Sequence, residues 1–90
     1  MLLVAIVEMV PGRSEEGRHY ENEVLKLLAR HGATVERRTR STDGTAEVHL
    51  IRFQAREGFE SFMADQDRAT LREKAGPAAP TTRVIEVLDV

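Results

Sequence analysis

Ninety residues make one domain spanning 1–90, and a chain this short buries only roughly 60 to 65% of its unfolded surface, so a partner subunit is expected to complete its core. The composition, 41% hydrophobic and 31% charged, is that of a folded globular chain, and a net charge of -2 gives no pull towards phosphate backbones, which argues against a nucleic-acid partner. With no cysteine there is no disulfide, zinc thiolate or thiol nucleophile.

The apolar start "MLLVAIVEMV" lacks a basic leader, is interrupted by Glu8 and is too short to span a bilayer. It is expected to be the first strand, Leu2 to Val10, of a cytoplasmic protein with no membrane partner. Its β-branched and other apolar residues, stopped by Pro11-Gly12, suit a strand buried on both faces at the centre of a sheet. Ser14 can then cap a helix whose first turn holds Glu15 and Glu16 at the positive end of the dipole. Along it Tyr20, Val24, Leu27, Leu28 and His31 share one stripe, while Glu21, Glu23, Lys26 and Arg30 are expected mostly towards water. Gly32 fits the left-handed position just past the helix end.

Residues 33–42 and 45–54 flank Asp43-Gly44, a preferred pair for a two-residue hairpin turn in which both central residues need positive φ. That turn would set Arg40 opposite Glu47, Arg38 opposite His49, Glu36 opposite Ile51 and Val35 opposite Arg52. One face would collect Glu36, Arg38, Arg40, Glu47, His49, Ile51 and Phe53, and the other Val35, Arg37, Thr39, Val48, Leu50 and Arg52. The first limb carries Glu36, Arg37, Arg38 and Arg40 almost in succession, which suits an edge strand where charge discourages strand addition. Residues 56–75 read as helix, with Phe59, Phe62, Met63 and Gln66 on one stripe continued by Leu71. Asp prefers caps to interiors, so "ADQD", residues 64–67, is where that helix would break. "GPAAP", residues 76–80, ends it before a last strand, Thr81 to Val90.

Strand, helix, strand, strand, helix, strand makes an α+β, ferredoxin-like domain. Its antiparallel sheet runs in the spatial order fourth, first, third, second, with both helices on one face. The other sheet face stays open and calls for a partner, most simply a second copy of the chain.

Three stretches carry a resemblance: "YENEVLKLLARHGATVERR", "VHLIRFQAREGFESFM" and "TTRVIEVLDV". They resemble the dimeric α/β-barrel superfamily, within it the antibiotic biosynthesis monooxygenase-like families and a related small family without an assigned activity. The resemblance implies ferredoxin-like subunits paired sheet to sheet in a homodimer. It also implies a small aromatic or polyketide-like ligand, transformed by oxygenation, isomerisation or cyclisation without cofactor or metal. The superfamily hosts many chemistries, so the fold alone does not choose among them. The absence of Trp speaks against its haem-degrading branch.

Among candidate residues His49 sits mid-strand, where a neutral imidazole can serve as general base. Glu8, unusual in an apolar run, would lie near it and could be its acid/base partner. Tyr20 would bring a hydroxyl between helix and sheet, Arg38 and Arg52 offer donor forks for a substrate anion, and Phe59, Phe62 and Met63 would line an apolar pocket. Each has a structural alternative: cross-strand ion pairing for the charged residues, core packing for the others. His19 and Glu23 are too few to hold a metal, and His31 suits a helix C-terminus. The second reading is a non-catalytic homodimeric ligand-binding or assembly protein. It requires a filled core with Arg38, Arg40 and Arg52 all paired, whereas an enzyme requires a cavity with an unpaired cationic or imidazole group.

Overall fold

The computed structural model describes all residues, 1–90, as β1 (Leu2–Glu8), α1 (Ser14–Leu25), β2 (Ala33–Arg40), β3 (Ala46–Phe53), α2 (Arg56–Met63), α3 (Gln66–Ala75) and β4 (Thr81–Val87). Single 3₁₀ turns follow α1, at Leu28–His31, and α3, at Gly76–Ala78. The strands form one antiparallel sheet in the order β2-β3-β1-β4, with the helices on one side. This is the ferredoxin-like order expected from the sequence, and the charged strand β2 is indeed an edge.

The first helix is shorter than its apolar stripe implied. It ends at Leu25, and the chain tightens into the 3₁₀ turn, which carries Leu28 into the core at 2% exposure. Gly32 closes that turn with the expected positive φ of 68°. The second helical stretch breaks where expected. Asp65 stands at the start of α3 and accepts from the backbone N–H groups of Asp67 and Arg68 at 2.8 and 3.4 Å, an N-cap in the middle of the stripe.

The hairpin keeps the expected pairing of Arg40 with Glu47 and Arg38 with His49, but not by a two-residue turn. Ser41 N–H bonds Ala46 O at 2.9 Å across a four-residue loop in which only Gly44 has positive φ. Asp43 instead accepts from the Thr45 N–H and from the Ser41 and Thr45 hydroxyls, and these bonds hold its carboxyl down at about 2. Beyond Arg37 a β-bulge overturns the expected register: Val35 faces Ile51, Thr34 faces Arg52 and Ala33 faces Phe53. The extra residue is Glu36. Without the bulge its carboxylate would lie under the helices opposite Ile51, so the inserted residue turns Glu36 out and brings Val35 inward.

The core cluster joins Leu3 and Ala5 of β1, Leu28, Ala33 of β2, and Ile51 and Phe53 of β3, with Phe59 and Phe62 of α2 packed against it. The register pairs Ala5 with His49 and Val7 with Glu47, which sets His49 and Glu47 on this same covered face. The opposite face presents Val4, Ile6, Val48, Leu50 and Ile85 with no element over it. Val48 is 43% and Ile85 36% exposed there. No helix is long and apolar enough to cross a membrane.

Candidate functional site

A cavity of about 210 Å³ lies between the sheet and the helices. Its inner wall holds the buried residues Tyr20, Glu21, His49 and Phe53, and its exposed lining residues, Met63, Arg72, Thr82 and Val84, mark its mouth beside β4. A larger surface groove of about 350 Å³ between α1 and α3 is lined mostly by Glu15, Glu16, His19, Glu23 and Lys74, which are all open to solvent to some degree. Tyr20 lines both and separates them. The buried ionisable pair Glu21 and His49 lines the inner cavity and not the groove, and acid–base chemistry depends on such groups.

His49 is 1% exposed. Its Nε2 lies 2.7 Å from Glu47 Oε1. Glu47 is itself wholly buried and accepts from Arg38 Nε and Nη2 at 2.8 and 3.1 Å and from Arg40 Nε at 3.0 Å. Burial alone would raise the Glu47 carboxyl, but the hydrogen bonds from Arg38, His49 and Arg40 outweigh it and hold it at about 2. Glu47 is therefore an ionised acceptor, and in neutral His49 the hydrogen must sit on Nε2. Nδ1 is left with a free lone pair.

Across from that lone pair stands Glu21, 4% exposed, with Oε1 3.9 Å from His49 Nδ1, beyond hydrogen-bond reach. No side-chain polar atom is sealed away without a partner, so the Glu21 carboxyl opens on the cavity. Burial, and next the negative charge of Glu47, push Glu21 up to about 7 against the opposing pull of Arg38, Arg68 and Arg72. At neutral pH it is close to half protonated. Glu47, His49 and Glu21 thus form an ordered series: a fixed acceptor, an imidazole locked in one tautomer, and a carboxyl able to give or take a proton.

Several sequence expectations need correction. Glu21 is not turned to water. It stands on the α1 face with Gly17, Tyr20 and Val24, all buried. Glu8 does not meet His49: it pairs in register with Ala46 and Thr81, is exposed, and points to the open side of the sheet. A strand alternates sides, so an odd-numbered His49 on the covered face opposite Ala5 leaves Glu8 on the other. Arg38 does not line the cavity either. Its guanidinium is occupied by Glu47 and by Asn22 Oδ1 at 2.8 Å. Arg52 lies on the open side, where Glu36 at 2.7 Å and Asp89 at 3.0 Å take its donors and raise it far above the ordinary guanidinium range. Tyr20, Phe59, Phe62 and Met63 do line the cavity with His49.

Two lining residues escaped the sequence reading. Arg68 and Arg72 of α3 line the cavity, and their spacing of four was the signal that they share a helix face.

A second histidine cluster lies elsewhere. His31 Nε2 is 2.6 Å from Asp65 Oδ2 and its Nδ1 is 2.7 Å from Ser61 Oγ, while Arg30 doubly engages Asp65 and also reaches Asp67. Arg30 first, then His31, holds the Asp65 carboxyl well below the usual range. Acid, imidazole and hydroxyl are in contact here, yet neither His31 nor Ser61 lines a cavity. The cluster fastens the α2–α3 break to the 3₁₀ turn.

No protein-family model matches the sequence, and no curated protein matches it significantly. The fold does have relatives among solved structures. Several of these structural neighbours share the ferredoxin-like fold and are named as candidate antibiotic biosynthesis monooxygenases, the class the sequence resembled. A Bacteriodes thetaiotaomicron protein named as a candidate antibiotic biosynthesis monooxygenase superposes with a TM-score of 0.82 at 16% identity, over 100% of this chain and 89% of its own. Rv0793 from Mycobacterium tuberculosis gives 0.74 at 16% identity, over 99% and 95%. SnoaB, a cofactor-independent oxygenase from Streptomyces nogalater, gives 0.72 at 11% identity, over 99% and 93%. At such identities the likeness speaks for the fold alone.

Proposed function

We propose that this protein is an enzyme of the cofactor-independent oxygenase, isomerase or cyclase kind, acting on a small aromatic or polyketide-like molecule by proton transfer in the inner cavity. The observation that carries this reading is the arrangement of Glu47, His49 and Glu21 around a cavity. His49 Nδ1 removes a proton from an acidic C–H or O–H of the substrate, and buried Glu47 stabilises the imidazolium that results. Protonated Glu21, beside it, donates to the oxygen on which negative charge develops. For oxygenation the substrate anion itself would reduce dioxygen, so the protein need supply only the base, the dry site and the donor. Tyr20, whose ring forms part of the same wall, adds a hydroxyl to orient the substrate.

The competing non-catalytic reading is favoured by one observation: Arg38, Arg40 and Arg52 are all spent on carboxylates. The open Glu21 carboxyl and the free His49 Nδ1 weigh more, because a merely structural core would not leave them unpartnered. Oxygen uptake and solvent deuterium incorporation with small phenolic and polyketide-like compounds test the choice. Activity that falls by about a hundredfold or more in His49→Asn and in Glu21→Gln supports the enzyme. Activity indifferent to both removes them from any mechanism.

The working unit in this reading is a homodimer joined through the open sheet face. Only 17 of 90 residues are buried, and the uncovered face is apolar across β1, β3 and β4, which supports a second copy as the cover. Sedimentation of the wild type at twice the monomer mass, and of Leu50→Glu as a monomer, is the expected result. A monomeric wild type contradicts it.

A further inference from the structure

We infer that the cavity takes its ligand as an anion, a single-ring aromatic carboxylate whose acid group is held by Arg68 and Arg72. The inference rests on the reading of this cavity as the working site and adds the class of molecule it accepts.

Arg68 and Arg72 stand one turn apart on α3 and both line the cavity. Arg13, Arg30, Arg38, Arg40, Arg52 and Arg56 each rest on a carboxylate. The two cavity arginines have none. Arg68 reaches Met63 O at 3.5 Å and lies 5.5 Å from the centre of the Phe62 ring, and Arg72 reaches Pro80 O at 3.4 Å. Such contacts orient a guanidinium without neutralising it.

The other ionisable groups of the lining are Glu21 and His49, and Glu47 behind His49 is already matched by Arg38 and Arg40. When Glu21 is protonated, the two guanidinium groups have no carboxylate charge beside them in the lining. Two planar donor forks at the entrance of an apolar hollow fit a carboxylate in shape as well as in charge. Arg72 is exposed near the mouth while His49 and Glu21 are buried, so a bound acid lies with its carboxylate outward and its ring towards the proton-transferring pair. Phe53, Phe59 and Phe62 line the space that ring would fill. An apolar cavity of ~150 Å³ holds a benzene. The 210 Å³ here therefore suits one ring with its substituents and excludes a fused tricycle.

The test is an amide-shift titration of the isotopically labelled full chain with benzoate, with benzamide as its neutral shape mimic, and with anthracene-9-carboxylate. Benzoate is expected to bind about tenfold or more tighter than benzamide, with shifts in α3 and β3. Arg68→Gln combined with Arg72→Gln should erase that advantage, and the spectrum itself reports whether the variant is folded. Arg72→Lys, which keeps the charge but loses the fork, should fall between the two and replaces the double variant if that one unfolds. Equal affinity for benzoate and benzamide, no saturable binding of either, or benzoate affinity unchanged by the substitutions overturns the inference. Saturable binding of anthracene-9-carboxylate overturns the single-ring limit. Binding does not read proton transfer, so the two ideas fail separately. If benzoate does not bind while His49→Asn still abolishes turnover, the anion site falls alone. If benzoate binds through the arginines but turnover ignores His49, the acid–base reading falls alone.

Discussion

The two histidine clusters contrast in one respect. Around His31 every donor and acceptor has a partner: Asp65 on one ring nitrogen, Ser61 on the other, and Arg30 sharing the acid. Around His49 the chain stops one partner short, with Glu47 on Nε2 and a 3.9 Å gap between Nδ1 and Glu21. The first cluster is saturated and joins two helices to a turn; the second is unsaturated and opens on a cavity. Residue type does not separate them, since each is an acid and an imidazole with a third group. What separates them is whether a ligand could complete the set.

Four outcomes would break or sharpen this contrast. The largest concerns turnover. His49→Asn should reduce it by roughly 10² to 10⁴, and His31→Asn should leave it nearly unchanged while lowering the melting temperature. Similar losses of turnover in both would dissolve the distinction.

Next in size is the stability held in Glu47. Its replacement by Ala leaves Arg38, Arg40 and His49 without their shared acceptor. This should cost about 3 kcal/mol in urea unfolding, the low end for a broken buried pair because both arginines reach water. A cost near zero would mean that the network is not formed in solution.

Glu21 should behave in the opposite sense. Its carboxyl is raised in the folded state, so its contribution is fully favourable below about 4.5, its ordinary value, and is lost as pH rises through about 7. Glu21→Gln should therefore be more stable than the wild type by about 2 to 3 kcal/mol at pH 8, with the difference vanishing at pH 4. A difference independent of pH would indicate an ordinary exposed carboxylate.

The smallest effect belongs to the saturated cluster. Asp65 is depressed, so the stability it contributes is present above the ordinary carboxylate range and drains away as pH falls towards its folded value. Asp65→Asn should lower the melting temperature modestly at pH 7 and flatten its acid dependence. No change in either would show that the α2–α3 break is held by packing alone.

Much of this architecture was legible in the chain. Apolar runs, Pro11-Gly12, Asp43-Gly44 and the "GPAAP" stop set out the order of elements, and loop lengths constrain how those elements pair. The Arg38–His49 pairing was legible too, because a hairpin turn counts residues outward from itself. The Glu36 bulge was not, since no local rule marks where a strand admits an extra residue, and every side assignment beyond it slipped by one. Glu8 failed for a related reason: sequence proximity of two strands says nothing about which side each side chain takes. Glu21 could have been found. Position 21 is four from Gly17 and three from Val24, inside the buried stripe of α1, and only its charge argued for water. Arg68 and Arg72 were hidden by a stripe traced through Phe59, Phe62 and Leu71, because the break at Asp65 starts a separate helix whose faces do not continue those of α2.

The most direct test of the account is the titration of the Glu21 carboxyl, followed by carbon NMR in the wild type and in His49→Asn. A midpoint near 7 in the wild type is the predicted result. A midpoint near 4, in the usual carboxylate range, would contradict it. It would leave the cavity with an ordinary anion on its wall in place of an acid.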